Sequence, residues 1–358
     1  MNLEQVAAHR LQNQQLAGTK LRTVAELVAW QGAVQSQEYA MAKWAIGLRL
    51  AHLNDADVEQ AFNAGEILRT HVLRPTWHFV APADIRWMLK LSAPRVHAAN
   101  AYMGRKLELD TSLLHKCSKL IARALEGGNH LTREQLQTML ARAKIALEGQ
   151  RMAHVAMHAE LEGLICSGPR VGKRFSYALL DERVPSTPSL TREQALAELA
   201  QRYFQARGPA SAQDFAVWSG LTLKDVRTAI ALLGRSLVEV KLGEQSGWMY
   251  EADAPALSPK GHSFLMPDYD EYGIGFKDRS ALFAPGRAAG EMSRDNPIFN
   301  RMLIVDGTIA GSWQRTVSST HAHVQFAYFS PPSRSAAAAL KAAALRFANF
   351  LGLLLELH

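Results

Sequence analysis

Two glutamines, Gln35 and Gln37, stand one residue apart in "WQGAVQSQEYAMAKWAIGLRL", Trp30 to Leu50. A carboxamide has no useful pKa and is not an ordinary acid, base, nucleophile or strong metal ligand. It does carry an acceptor oxygen and two donor hydrogens, enough to hold and orient a water. Such a water can attack a carbon whose leaving group needs no proton, so the pair suits hydrolysis at a centre already activated by positive charge. The same residues equally suit an ordinary polar surface, because so short a motif is weak by itself. Spacing adds a condition. Residues two apart on a helix point about 200° from each other, so both glutamines face one substrate only where the backbone leaves helical geometry near Ser36.

Other sets of residues suit anion recognition. In "LRPTWHFV", Arg74 precedes a β-like run in which Trp77 and Phe79 share one face and His78 takes the other, free to meet a phosphate or base; a core Trp77 beside a satisfied surface His78 is the alternative. "RVGKR" gathers Arg170, Lys173 and Arg174 in a turn, but lacks the glycine spacing and the Ser or Thr of a P-loop. "GSWQRTVSSTHAHVQF" brings Arg315, Thr316, Ser318, Ser319, Thr320 and His321 to a hairpin tip, small and rich in donors for phosphates or a groove. His154 and His158 sit at i, i+4 without the Glu of HExxH or a convincing third ligand, so no metal is expected. "PDYDEY" reads as a strand with Asp268 and Asp270 on one face, and Asp270 is a backup carboxylate for a sugar cation. No organic cofactor is implied.

The elements that must position these residues follow a recurring order. "LTREQALAELAQRYFQARG" opens with Thr191 and Gln194, a capping box, and stops at Gly208. "SAQDFAVWSG" and "LTLKDVRTAIALLG" add two helices, and "LVEVKL" and "WMYEA" a hairpin across "GEQSG". Three short helices and a hairpin are the order of a winged helix. The order occurs upstream in "TSLLHKCSKLIARALEGG", "LTREQLQTMLARAKI", "RMAHVAMHAELEGL", "LICSGP" and "FSYALL", and more loosely in "VAELVAWQGAVQ", "YAMAKWAIGLRLA", "DADVEQAFNAGEIL" and "LRPTWHFVAP". From Lys260 the pattern turns β-rich, with "VDGT" a two-residue hairpin turn, and "SRSAAAALKAAALRFANFLGLLLEL" closes as a helix whose Leu340, Leu345, Phe347 and Leu351 cover the sheet. The expected fold is mainly α with β, an α+β chain of tandem winged helices followed by a small antiparallel β-barrel or sheet. Its predicted segments are 1–110, 111–187, 188–256 and 257–358.

Composition bounds the partners. The formal charge of +7 over 358 residues favours an anionic partner, nucleic acid first. Two cysteines without CxxC spacing give no disulfide framework and point to a reducing compartment. "MNLEQVAAHRLQNQQ" has no signal-peptide core and no apolar run reaches spanning length, so a cytoplasmic protein without a membrane partner is expected, in an oligomeric state that the sequence leaves open.

Taken in order, "GAVQSQEYAMAKWAIGLR", "LRPTWHFVAPADIRWML", "GLICSGP", "LMPDYDEYGIGFKDR" and "NRMLIVDGTIAGSWQR" make the chain resemble the AlkZ-type DNA glycosylase family over nearly its whole length. The resemblance implies tandem winged helices with a β-barrel and duplex DNA, intact or damaged, as partner. It also implies a catalytic Gln-aliphatic-Gln motif, which falls on Gln35 and Gln37, with Ser36 where the family has an aliphatic residue. The barrel hairpin carrying Arg315 to His321 corresponds to one thought to probe the duplex. The implied chemistry is hydrolysis of the N-glycosidic bond of alkylated, cationic purines. Family resemblance alone also admits a non-catalytic winged-helix DNA-binding or regulatory protein, and a basic chain admits RNA or a protein as partner.

Overall fold

The computed structural model describes residues 1–250, 258–284 and 301–358, and these mix helix and strand throughout. The chain divides into two units. One is built from Met1–Glu59, Leu196–Trp218 and Thr222–His358, the other from Gln60–Ala195 with Ser219–Leu221. Among the described residues no helix is long and apolar enough to cross a membrane.

The first unit is organised by a five-stranded sheet in the order Leu354–Leu357, His321–Tyr328, Thr308–Val317, Met302–Val305, Ser263–Leu265. Four of these strands pair antiparallel, as expected. The edge strand Leu354–Leu357 pairs parallel to His321–Tyr328, where the sequence predicts continued helix. The helix Arg334–Phe350 ends because Gly352 takes a left-handed φ of 68° and turns the chain back. Val305 pairs with Thr308 across Asp306 and Gly307, both at positive φ, the backbone that a two-residue hairpin turn needs.

Leu340 and Phe347 of that helix are fully buried, as predicted, but Leu345 is 49% exposed and the small Ala344 and Ala348 take its place in the packing face. The ring of Phe347 lies 5.2 Å from Trp44 and 5.1 Å from Trp313. Both indole N–H groups donate to main-chain carbonyls, Trp44 to Leu265 and Trp313 to Met266, each at 2.8 Å. The core therefore buries three large rings without stranding a polar atom. The hairpin Leu237–Leu242 with Gln245–Tyr250 also belongs here, and its register shortens the expected "GEQSG" turn to Gly243 and Glu244. Glu251 and Ala252 of the expected strand, and the 256/257 segment boundary, lie outside the described residues.

In the second unit the helices Thr111–Leu125, Arg133–Arg142 and Gln150–Leu161 pack Ile121, Leu125, Leu136, Leu140 and Val155 together with Ile165 of a short hairpin. That hairpin pairs Ile165–Ser167 with Ser176–Leu179, and Leu131–Thr132 adds a third strand. Thr132 and Gln135 form a capping box that starts the middle helix. Cys117 and Cys166 are both buried free thiols, and burial pushes the Cys166 thiol up to about 12. The sequence pattern does not reveal the 25-residue helix Pro82–Lys106, because Pro94 interrupts it and removes a backbone donor mid-helix. A second hairpin pairs Leu68–His71 with Trp77–Val80.

Candidate functional site

The segment carrying the two glutamines is not helical. A capping box of Thr23 and Glu26 starts the helix Val24–Gln31, and Gly32, at φ 71°, ends it. A Cβ at Gly32 would also come within 3.2 Å of the Arg202 side chain. Val34–Gln35 is extended, and the next helix, Tyr39–Arg49, begins only after Glu38. Extended backbone alternates its side chains. Ser36 accordingly points inward and is fully buried, while Gln35 is half-buried and Gln37 exposed. The small Ser36 thus occupies the interior position where the resemblance implies an aliphatic anchor.

A buried ionic network of the first unit holds this segment in place. Glu271 accepts the backbone N–H of Gln35 through Oε1 at 3.1 Å. Its Oε2 accepts from Arg207 Nη2 at 2.8 Å, Arg207 Nε at 3.2 Å and Trp218 Nε1 at 2.9 Å. Arg207, with no exposed surface, also donates to the carbonyls of Gln31 and Ala33, so one guanidinium ties both ends of the turn to one carboxylate. Because each charge is met by several donors or acceptors, the pair survives its desolvation. Asp270 is used the same way. Its two oxygens take a bidentate pair from Arg49 at 2.9 Å each, and Oδ1 also caps the N–H of Tyr272 at 2.8 Å. The backup role for Asp270 is therefore corrected: it is a buried structural carboxylate that starts the short helix Glu271–Ile274, and "PDYDEY" is a turn and helix rather than a strand.

The Gln35 side chain keeps spare capacity. Its Oε1 is buried and meets no hydrogen-bond partner among the described residues. A buried acceptor in this condition favours a donor such as a water or a substrate hydroxyl. Next to Gln37, Glu38 joins Asp268, Tyr269, Arg301, Arg315 and Val317 around an open cleft of about 520 Å³. Arg301 donates to Asp268 at 3.1 Å, and Arg315 lies 3.6 Å from the other oxygen of the same carboxylate. Burial lowers the pKa of the Arg315 guanidinium from its ordinary value, and Asp268 opposes that shift. From Arg315 the sheet runs out to an exposed tip. Thr316 and Thr320 are exposed, and His321 is half-buried with Nδ1 on the Thr320 hydroxyl at 2.8 Å.

In the second unit the strand Trp77–Val80 is buried on both faces, and only Trp77 at its start is half-buried. His78 is fully buried, with Nδ1 at 2.9 Å from the Thr76 carbonyl and Nε2 at 3.5 Å from half-buried Arg74. Its expected exposure to a phosphate or base is corrected, and Trp77 takes the open side. Trp77 lines a cleft of about 380 Å³ with Arg69, Arg133, Lys173, Arg174, Phe175 and others. Arg69 lies 4.2 Å from the Trp77 ring centre and 4.4 Å from that of Phe175. The "RVGKR" turn is a tight one, bridged between Val171 and Arg174. Arg170 packs on the Phe175 ring at 4.1 Å, Arg174 pairs with Glu134 at 2.5 Å, and Lys173 is exposed.

Of the predicted residues, Gln35, Gln37, Arg315, Thr316, Thr320 and His321 fall in the first unit, and Arg74, His78, Arg170, Lys173 and Arg174 in the second. Sequence reasoning misses Arg207, Trp218 and the clamping role of Glu271. No local pattern joins them, since the contacts span 236 residues from Gln35 to Glu271 and 64 from Arg207 to Glu271.

Comparison with known proteins agrees with this architecture. The family model described as DNA glycosylase AlkZ-like matches residues 28–350. An interstrand DNA cross-link repair glycosylase of Streptomyces sahachiroi is 23% identical over 325 residues, which is 87% of each chain. The solved structure of Streptomyces sahachiroi DNA glycosylase AlkZ superposes with a TM-score of 0.78 over all of both chains at 20% identity, a likeness of fold. This chain belongs to the AlkZ-like DNA glycosylase family.

Proposed function

We propose that the protein is a monofunctional DNA glycosylase that hydrolyses the N-glycosidic bond of cationic, alkylated purines in duplex DNA, with Gln35 and Gln37 positioning the attacking water. The observation that carries this reading is the non-helical segment around Gln35, whose backbone N–H is held by Glu271 and whose buried carboxamide oxygen has no partner among the described residues. A purine alkylated at N7 or N3 already bears positive charge. When the bond from C1′ to the base nitrogen breaks, its electron pair passes to the base and neutralises it, so no general acid is needed. The sugar is left oxocarbenium-like. Water oxygen adds to C1′, and its proton leaves to solvent or to a cleft carboxylate, Glu38 or Asp268. Two glutamines suit this chemistry and suit excision of a neutral base poorly.

The flipped or unstacked nucleotide would lie in the cleft, with Arg301 and Arg315 toward its phosphates and the Thr316 to His321 tip against the duplex. The helix-helix-helix-hairpin segments, 1–110, 111–187 and 188–256, act in this reading as winged helices, and 257–358 as the sheet domain. Arg170, Lys173 and Arg174 then supply salt-dependent affinity from a wing.

The test is to incubate the protein with duplex DNA carrying N7-methylguanine and, separately, with DNA carrying neutral hypoxanthine, and to identify freed bases by mass spectrometry. Release of N7-methylguanine without hypoxanthine is expected. Since the Streptomyces relative is named for cross-link repair, DNA joined by a bifunctional alkylator is the second substrate to try. No release from any of these duplexes, with binding retained, would leave a non-catalytic DNA-binding protein.

A further inference from the structure

We infer that the second unit carries a site for zinc or a similar borderline divalent cation, formed by His97, His158 and Glu162. The pair His154 and His158 lacks a third ligand in sequence, and in the fold His158 is grouped instead with His97 and Glu162, without His154. His158 lies on the helix Gln150–Leu161, and Glu162 follows four residues later as its C-cap, so both project from one stripe. His97 comes from the neighbouring helix Pro82–Lys106. One ligand atom from each of the three lies within 4.8 Å of the other two. His97 Nε2 is 2.8 Å from Glu162 Oε1, and the two imidazole rings are 5.2 Å apart.

Two imidazoles and a carboxylate are a donor set that zinc accepts, with water in the fourth position. Bonds of ~2.1 Å to a tetrahedral ion put ligand atoms roughly 3.4 Å apart, so only modest side-chain rotation closes the set. An ion pair between His97 and Glu162 accounts for two members but not for the third. Among the described residues no hydrogen bond holds the His158 ring, which nevertheless faces the other two. Glu162 and His97 have side chains 55% and 34% exposed, which leaves the site open to solvent. An ion here would tie the helix Gln150–Leu161 to the helix that carries Pro94, one turn before His97. The role is structural and independent of base excision.

A second triad, His323, Glu356 and His358, lies on the sheet of the first unit. It serves as an internal control. Full-length protein is equilibrated with zinc chloride, freed of unbound ion, and assayed for bound metal by mass spectrometry and for melting temperature with and without zinc. The wild type is expected to hold one equivalent more than the variant H158N/E162Q, and zinc is expected to raise the melting temperature of the wild type but not of that variant. H154N and H323N should retain that equivalent. Circular dichroism and zinc-free melting of the double variant, expected to match the wild type, show that it folds. If the double variant holds as much zinc as the wild type, or the wild type holds none, the site does not exist.

Discussion

Two clusters of carboxylates and arginines in the first unit are built from the same residue types and behave as opposites. Around Glu271 and Asp270, every carboxylate oxygen is met by donors from Arg207, Trp218, Arg49 or backbone N–H groups, and all four charged side chains are buried. Around Asp268, two arginines share one carboxylate at 3.1 and 3.6 Å in an open cleft, with Glu38 at its edge. The first cluster has little left to offer a ligand and serves as scaffold. The second retains donors and acceptors that a substrate can use. Burial and the number of partners, rather than the charges themselves, separate support from site.

The contrast predicts effects of very different size. Glu271→Ala leaves the Arg207 guanidinium buried without its carboxylate and the Gln35 N–H unpaired, and should cost about 3–5 kcal/mol in urea unfolding. A cost below about 1 kcal/mol would remove Glu271 from the scaffold. In the cleft, Arg315→Met should weaken duplex DNA binding roughly tenfold and lower the slope of log affinity against log salt by about 1, with little change in unfolding. Asp268→Asn, which frees both arginines from their partner, should tighten DNA binding at low salt and alter stability by less than about 1 kcal/mol. Equal destabilisation by Asp268→Asn and Glu271→Ala would erase the distinction between the two clusters. Smallest is Lys173→Ala in the exposed turn of the second unit. It should lower affinity for all duplexes alike by roughly threefold, and a sequence-dependent loss would give that lysine a different role.

Much of this organisation is legible in short runs of residues. Capping boxes, glycine stops and the Asp306-Gly307 turn are local signals written in a few adjacent positions, and the fold has them where the pattern puts them. The need for a helix break at Ser36 follows from spacing alone, and Ser36 lies outside both flanking helices, just after the extended Val34–Gln35. What stays hidden depends on distant partners. Asp270 and Glu271 look alike in sequence to any exposed acidic pair, and only Arg49 and Arg207 make them buried scaffold. Alternation along the Trp77 strand says which residues share a face, not which face is covered, and here Phe79 and His78, on opposite faces, are both buried. Leu345 fits the helical pattern but loses its buried place to alanines, since close packing on the sheet favours small side chains there. His97 and His158 are 61 residues apart in number, and the Pro82–Lys106 helix that joins them in space is masked by its own proline.

The central claim is that Gln35, held through its backbone by Glu271, and its exposed neighbour Gln37, not the buried carboxylates, carry the chemistry. Single-turnover release of N7-methylguanine from duplex DNA by Gln35→Ala and Gln37→Ala, measured beside DNA affinity and melting, tests it most directly. A loss of about a hundredfold or more in release rate, with affinity kept and stability within about 0.5 kcal/mol, is the predicted result. Release by both variants within a few-fold of the wild type would contradict the account.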